Sequence, residues 1–406
     1  MASRHIKQLD ATGGSADLDK PTTLLAFAKR FPDDKACEDY LFNLRWPDGF
    51  VCPKCDSRKA WRMNAAHLSM KCDSDHITSV TAGTAMHRTK LPFTHWFYAA
   101  YLVSTLTPGI SAVQLQKQLG ISRYETAFQL LHKLRSGLVA SGRDKLRAGA
   151  PLFEGDEPPI AVEVDEFFVG GVEEGHPGRG TDEKALVICA VEVVAWDEID
   201  KKDPNAAVQR KRAGRVRLNV IPNASAEVLL PWVQANVAAG SLIQTDGWAG
   251  YNGLGKLGYT HERVVQSHKG MKTGQYLPLV HLIISNIKAW LLGTFHGAVS
   301  RKHLPAYLNE YVFRFNRRFW RGPAFVRALG LLMSATDRPE YETLYAVGTD
   351  NTEAWAHPNP RRVATIDVIE AIYADVCDAA DATLRSWLED NTMSVQNIIK
   401  RTIETS

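Results

Sequence analysis

The chain has few cysteines for its length, little net charge and no long apolar run. Its 406 residues include six cysteines and carry a formal net charge of +3. So few cysteines exclude a small domain stabilised by disulfides. Uninterrupted apolar stretches of the ~18 residues needed to cross a membrane are missing, as is a signal-peptide segment near Met1. These absences predict a cytoplasmic protein with no membrane partner, and the length allows two or three domains.

The small net charge conceals two segments in which basic residues predominate. Residues 201–217 contain seven basic residues against Asp203, and residues 301–327 contain seven against Glu310. Basic segments in a near-neutral chain indicate a polyanionic partner. A solvated loop explains residues 201–217 equally well. The glycines between 170 and 180 lack the order of a phosphate-binding loop, so no nucleotide site is predicted there.

Three of the cysteines cluster in the N-terminal quarter of the chain. Cys52 and Cys55 form a C-x2-C pair, and sixteen residues separate Cys55 from Cys72. In an intracellular chain this spacing indicates a zinc ribbon, with Cys72 and His76 completing a structural Zn²⁺ site. Asp75 occupies the position where a fourth cysteine would be regular, so the fourth ligand stays open. The other cysteines are predicted to be buried packing residues: Cys37, Cys189 and Cys377.

Residues 111–135 have the pattern of a helix-turn-helix. Two short amphipathic helices meet at Gly120, and each is predicted to begin at a serine, Ser111 and Ser122; Ser122 and Glu125 have the spacing of a capping box. The pattern favours a DNA-binding motif over an ordinary helical hairpin. The stripe predicted to face the core is Ala127, Leu130, Leu131 and Leu134. The face predicted to meet a DNA groove is Arg123, Tyr124, Gln129, His132, Lys133 and Arg135.

Two aspartates accompany strand patterns in the second half of the chain. Asp165 lies in the β-branched run 161–169, and Asp246 ends the run 241–245. Two further strands and a helix are predicted between them, at 186–194, 216–221 and 226–237, which indicates a mixed α/β sheet with helices on both faces. Carboxylates at the ends of neighbouring strands form an oxygen-ligand site for Mg²⁺ or Mn²⁺. Taken singly, either aspartate could be an ordinary turn residue.

Ordered motifs over about residues 20–335 resemble one family. They are RWPDGFVCPKC, TAGTAMHRTKLPF, VDEFFVGG, TDGWAGY, SNIKAWLLGTFHG, VSRKHL and YLNEYVFRFNRR. In this order they resemble the bacterial insertion-sequence transposases with an N-terminal zinc ribbon, the ISXO-like group of DDE-type enzymes. The resemblance implies an RNase H-like catalytic domain, two Mg²⁺ or Mn²⁺ ions and action on the terminal inverted repeats of the element. It also implies a homodimer or higher oligomer on DNA in the nucleoid.

The resemblance leaves three candidates for a third metal ligand beside Asp165 and Asp246. DDE-type enzymes usually place a glutamate there, often with a lysine seven residues later. Counting back from Lys288 gives His281, which implies that His281 replaces the glutamate and that Lys288 contacts DNA phosphate near the scissile bond. The alternatives are Asn286 and Glu310. A histidine that merely packs at a helix start is also compatible with position 281.

The whole chain is predicted to be a multi-domain α+β protein. The predicted parts are a leader (1–20), a helical lead-in with the zinc ribbon (21–90), the helix-turn-helix region (91–145), the RNase H-like domain (155–335) and a helical extension (340–406). The arginines predicted to contact DNA are Arg123, Arg135, Arg314, Arg317, Arg318 and Arg321. The rival functions are a DNA-binding regulator with an inert catalytic domain and a stand-alone metal-dependent nuclease.

Overall fold

The computed structural model describes residues 21, 23–63, 68–138, 144–150, 157–170, 184–199, 207–264, 277–297, 299–319 and 321–334. The predicted leader (1–20), the predicted helical extension (340–406) and Cys377 lie outside the described residues.

Two capped helices precede a small three-stranded sheet. Helix α1 (Leu24–Arg30) begins where the Thr23 hydroxyl accepts a hydrogen bond from the Ala26 amide, and α2 (Asp34–Arg45) begins where the Asp33 carboxylate accepts one from Ala36. Such caps satisfy backbone amides that have no partner within the helix. The antiparallel sheet that follows has the order β1-β2-β3, with strands Ala60–Met63, Ser69–Cys72 and Ile77–Ser79.

Three helices form the next segment: α3 (Phe93–Thr105), α4 (Ala112–Leu119) and α5 (Tyr124–Gly137). The predicted start of α4 is confirmed, because the Ser111 hydroxyl accepts a hydrogen bond from the Gln114 amide, and α4 ends at Gly120 with φ 62°. The capping box predicted for α5 is wrong. Arg123 occupies the N-cap, so Ser122 lies one residue outside the helix and its carbonyl accepts a bond from the Gln116 side chain.

A five-stranded mixed sheet forms the second half of the described chain. Its strands are β4 (Pro159–Val169), β5 (Ala185–Ile199), β6 (Ala207–Ile221), β7 (Leu242–Thr245) and β8 (Thr260–Arg263). The spatial order is β6-β5-β4-β7-β8; β4 and β6 are antiparallel to β5, whereas β7 is parallel to both β4 and β8. This antiparallel start followed by parallel strands matches the predicted RNase H-like fold.

Helices cover both faces of this sheet, as predicted. On one face, α6 (Ala226–Asn236) packs into a core with Val162, Val164 and Ile243. On the other face, α7 (Pro278–Phe295) and α8 (Leu304–Asn316) pack against Val187 and Val191. Side chains along β4 therefore pack alternately into two separate cores, which explains why the strand is apolar on both faces.

The last described helix, α9 (Arg321–Ser334), belongs to the N-terminal core. The Phe325 ring lies 5.4 Å from that of Phe27 and 6.0 Å from those of Phe97 and Tyr101. A segment that follows the sheet in the chain therefore completes the core that starts at α1.

Helix α7 is, among the described residues, the helix long and apolar enough to cross a membrane by length and composition. Val280, Ile283 and Ile287 are fully buried against the sheet. A core helix of this kind passes the same test of length and composition, so the finding is weak support for a membrane span.

Candidate metal and catalytic sites

Four side chains of the zinc ribbon converge on one point. The ligand atoms of Cys52, Cys55, Cys72 and His76 all lie within 4.8 Å of one another. The Cys55 and Cys72 sulfurs are 3.7 Å apart, and the Cys52 sulfur is 3.8 Å from the His76 Nδ1. A tetrahedral zinc ion with Zn–S bonds of ~2.3 Å separates its sulfurs by about 3.8 Å. Three thiols and an imidazole at this spacing fit a closed, structural zinc site.

Asp75 lies outside this cluster. Its side chain is 84% exposed and forms an ion pair of 2.7 Å with Lys71. Its backbone has φ 63°, and its amide donates to the Cys72 carbonyl, so the turn carries the chain past Asp75 and directs His76 inward. The structure thus brings His76, and not Asp75, to the three cysteines.

Asp165 and Asp246 lie on neighbouring parallel strands. Asp165 is in β4, and Asp246 follows the last residue of β7. Val162 lies opposite Ile243 in this pair of strands, and Glu163 lies opposite Gln244. Continuing the register by two residues places Asp246 opposite Asp165, at the ~4.8 Å spacing of adjacent strands. Both carboxylates therefore lie next to each other on two neighbouring interior strands.

Helix α7 brings His281 and Lys288 to the same face of β4. The His281 Nδ1 lies 3.6 Å from a carboxylate oxygen of Asp165. The Lys288 Nζ lies 5.7 Å from the centre of the Phe167 ring, and Phe167 shares a face with Asp165 because it is two residues further along the strand. Asn286 is exposed and lies ~140° around the helix from His281. Of the three candidates for a third ligand, His281 is thus the one placed beside Asp165.

Glu310, the third candidate, is buried elsewhere. Its side chain is fully buried, and its carboxylate is 2.7 Å from the Nε of Arg135 and 3.3 Å from Arg314. A carboxylate already neutralised by two arginines within the protein interior has no free oxygen to offer a metal ion. The structure therefore contradicts Glu310 as a metal ligand.

The same ion pair corrects the predicted DNA face of α5. The Arg135 side chain is 1% exposed, and its guanidinium packs over the Tyr307 ring at 4.8 Å. His132 is also buried, with its ring 5.6 Å from that of Tyr307. Both residues face α8 because α5 is covered on a second side that helical periodicity cannot reveal. The N-terminal end of α5 stays accessible, since Arg123 is 80% exposed and Tyr124 is exposed as well.

The arginines after Glu310 also make internal contacts. Arg314 donates hydrogen bonds to the carbonyls of Leu106 and Pro108. Arg318 donates to the Ala213 carbonyl, and burial lowers its pKa to about 10. Both guanidinium groups thus bind carbonyls of the chain itself, and the DNA contact of Arg314 and Arg318 stays a prediction. Arg317 is partly buried over the Phe313 ring, and the Arg321 side chain lies outside the described residues.

The aspartate site contains a third carboxylate that the sequence analysis missed. Burial raises the pKa of Asp165 above its ordinary value, and the nearby Asp246 adds to this rise. Burial likewise raises the pKa of Glu166 to about 7, and the charges of Asp165 and Asp246 contribute, although the Tyr251 hydroxyl donates a hydrogen bond to Glu166. Crowded carboxylates with raised pKa values are typical of a functional site that attracts cations. The adjacency of Glu166 to Asp165 was the available signal.

A further buried carboxylate, Glu163, joins β4 to α7. It accepts hydrogen bonds of 2.9 and 2.8 Å from the amides of Leu279 and Val280, and burial raises its pKa although these two bonds oppose the rise. Sequence alternation could have placed Glu163 and Asp165 on one face, but it could not have identified the helix that Glu163 meets.

The residues beside Asp165 form a donor set that suits a divalent cation. Two carboxylates and an imidazole bind Mn²⁺ readily, whereas the imidazole suits Mg²⁺ less well. The arrangement can therefore hold a cation between the strands β4 and β7 and the helix α7, with Lys288 available to bind a phosphate.

Comparison with known proteins gives matches in both halves of the chain. Residues 159–316 match the family described as the ISXO2-like transposase domain, and residues 32–74 match the transposase zinc-ribbon domain. A protein of Halobacterium salinarum, described as an uncharacterized protein in transposable element ISH50, is 25% identical over 302 residues. The aligned region covers 73% of this chain and 94% of that protein.

Proposed function

This chain is a member of the ISXO2-like group of insertion-sequence transposases that carry a zinc ribbon, and from that premise we propose that it cleaves and joins DNA at the terminal inverted repeats of its element. The observation that supports this proposal is that Asp165 and Asp246 lie on the neighbouring strands β4 and β7, with His281 of α7 3.6 Å from Asp165. The zinc ribbon, the helix-turn-helix region and the cytoplasmic, nucleoid-associated location belong to the same proposal, as does a dimer or higher oligomer on DNA.

The proposed chemistry assigns a role to each of these side chains. Asp165, Asp246 and His281 hold the divalent cations, and Lys288 binds a phosphate oxygen beside the scissile bond. When bound, two cations would activate the attacking oxygen and stabilise the negative charge on the leaving 3′ oxygen. The attacking oxygen belongs to water in strand cleavage and to a 3′-hydroxyl in strand transfer. In each step one P–O bond forms and one P–O bond breaks.

Recognition of the DNA ends is assigned to the exposed end of the helix-turn-helix. In such motifs the N-terminal residues of the second helix contact base edges. Arg123 and Tyr124 occupy this position in α5 and are exposed. The candidate DNA surface is therefore the exposed N-terminal end of α5, and no longer the buried part that contains His132 and Arg135.

Aspartate-to-asparagine substitutions test the proposed chemistry. Asp165→Asn and Asp246→Asn keep the side-chain shape but remove a charge, so metal-dependent cleavage should fall by more than the ~100-fold typical of losing a partner of a metal ligand. Binding to the terminal repeats should persist. The matched control is Asp197→Asn, an exposed position on β5. Cleavage and joining are measured with Mn²⁺ and the element's own ends, followed by sequencing of the junctions.

The rival functions predict other results in the same assay. A DNA-binding regulator would bind the ends and leave them intact with every metal, and a stand-alone nuclease would cut without joining. Normal cleavage by Asp165→Asn would contradict the proposed role of this residue.

A further inference from the structure

Glu163 is a buried carboxylate that meets the first turn of α7. Its side chain is 2% exposed, and one oxygen accepts the hydrogen bonds from both Leu279 and Val280. The pairing is long-range, since Leu279 lies 116 positions after Glu163 in the sequence. The carboxylate of a β4 residue thus caps the N-terminus of helix α7.

Helix α7 lacks a polar residue of its own at this end. Its N-cap is Leu277, whose side chain cannot accept a hydrogen bond, and the first helical residue is Pro278, which has no amide hydrogen. Without Glu163, the buried amides of Leu279 and Val280 would therefore lack a hydrogen-bond acceptor. A negative charge at this end also interacts favourably with the helix dipole.

Three successive residues on one face of β4 contact α7 in order. Glu163 meets its first turn, Asp165 lies 3.6 Å from His281, and Phe167 lies under Lys288. Each step of one residue along a helix moves a side chain by 1.5 Å and rotates it by ~100°. A slip of α7 by one residue would therefore turn His281 and Lys288 away from the strand. The Glu163 hydrogen bonds fix the helix against such a slip.

We propose that Glu163 is the positioning residue that sets α7 against β4 and thereby aligns His281 and Lys288 with Asp165. It acts through the helix and does not touch the substrate. The inference rests on the proposed function, because alignment of a metal site has an enzymatic consequence only if the site binds metal. A simple contribution to stability is the competing explanation, and the two differ in what they predict for metal affinity.

The substitutions distinguish three contributions of Glu163: the position of its acceptor oxygen, its negative charge and its effect on stability. Glu163→Gln keeps an acceptor oxygen at the same reach, Glu163→Asp keeps the charge but shortens the reach by one methylene, and Glu163→Ala removes both. The control is Glu192→Ala, which removes another buried carboxylate. Glu192 accepts hydrogen bonds from the amides of Arg147 and Arg215 and lies opposite Val162, whose side chain faces the α6 core.

The first measurement is independent of activity. Mn²⁺ binding to the full chain is followed by electron paramagnetic resonance, and amide hydrogen exchange is followed at Leu279 and Val280. Glu163→Ala and Glu163→Asp should weaken Mn²⁺ binding about 10- to 100-fold, the range for residues that orient metal ligands, and should speed exchange at both amides. Glu163→Gln should stay within about threefold of the wild type. Glu192→Ala should change neither quantity, even where it lowers the thermal midpoint.

Cleavage of the element's ends is the second measurement. The Mn²⁺ concentration for half-maximal cleavage should rise in the same order as the binding constants, with DNA affinity unchanged. Wild-type Mn²⁺ binding in folded Glu163→Asp, or equal weakening in Glu192→Ala, would overturn the positioning role. If Glu163→Ala does not fold, the Asp and Gln variants still decide. A wild-type protein that binds Mn²⁺ but never cleaves would instead refute the proposed function, and the Mn²⁺ binding constants of the Glu163 variants would still decide whether Glu163 positions the metal ligands.

Discussion

At the scale of single residues, His281 is the side chain whose chemistry departs from an all-carboxylate metal site. Its imidazole lies 3.6 Å from Asp165, whereas the exposed Asn286 points elsewhere and Glu310 is buried in an ion pair. An imidazole binds Mn²⁺ better than Mg²⁺, so the metal preference of the protein should follow this residue.

We expect His281→Ala to lose cleavage under Mn²⁺ and Asn286→Ala to retain it. His281→Glu should keep activity and shift the preference toward Mg²⁺, because a third carboxylate replaces the nitrogen ligand. The measurement is the cleavage rate with each metal over a range of concentrations. Full activity in His281→Ala would remove this residue from the site.

His132 is a second residue with a measurable consequence. Burial lowers its pKa to about 2, and the charges of Arg135 and His303 contribute. The unfolded chain therefore takes up a proton below pH ~6.5 that the folded chain does not, so the free energy of unfolding decreases as the pH falls below 6.5. The expected loss between pH 6.5 and 5 is about 2 kcal/mol.

Replacing the imidazole tests this origin of the pH dependence. His132→Phe should remove the part of the pH dependence of the unfolding free energy that comes from His132. The contribution of His303 should remain, because burial lowers the pKa of this residue as well. The measurement is urea unfolding at several pH values between 7 and 5. An unchanged slope in His132→Phe would show that the protonation lies elsewhere.

At the scale of elements, the zinc ribbon is the segment built around four converging metal ligands. Its strands have three or four residues each, so metal binding supplies much of the folding free energy. We expect one zinc per chain, and we expect chelation to unfold residues 50–80 first, as measured by metal analysis and limited proteolysis.

The ligand set of the ribbon is tested by a pair of neighbouring substitutions. His76→Ala should lose zinc because it removes one of four converging ligands, whereas Asp75→Ala should retain zinc because it removes an exposed partner of Lys71. Retention in His76→Ala together with loss in Asp75→Ala would reverse the assignment of the fourth ligand.

At the scale of the whole molecule, a buried ion pair joins the helix-turn-helix region to the sheet domain. Arg135 of α5 and Glu310 of α8 are 175 residues apart in sequence and are both buried. Breaking a buried pair by removing one partner typically costs ~3–5 kcal/mol of stability, and the lower end of this range applies here because Arg314 stays 3.3 Å from Glu310. Helix α9 adds a second connection, because it packs in the N-terminal core.

We expect Arg135→Met to destabilise the protein by about that amount in urea unfolding and to leave the salt dependence of DNA binding unchanged in the folded state. The Arg210–Glu198 pair, exposed on both sides, is the control, and Arg210→Ala should cost at most about 1 kcal/mol. Arg123→Ala should reduce the slope of the logarithm of DNA affinity against the logarithm of salt concentration by about one unit. The same reduction in folded Arg135→Met would return this residue to the DNA surface.

The sequence by itself determined the features that depend on local spacing. The zinc cluster, the turn at Gly120 and the strands around Asp165 and Asp246 follow from short intervals along the chain, where residue type and periodicity constrain the backbone directly. Motif order over most of the chain, a resemblance and not a derivation, predicted the transposase family that both domain matches support.

The tertiary structure decided which polar residues face solvent and which face another element. Helical periodicity identified the apolar stripe of α5 but could not show that α8 covers a second side, so Arg135 was predicted to be exposed. The amides that bind Glu163 and the Arg135 side chain that pairs with Glu310 are likewise more than a hundred residues away in the sequence. A charged side chain has the same local pattern whether water or a distant helix satisfies it, and packing of the whole chain alone distinguishes the two.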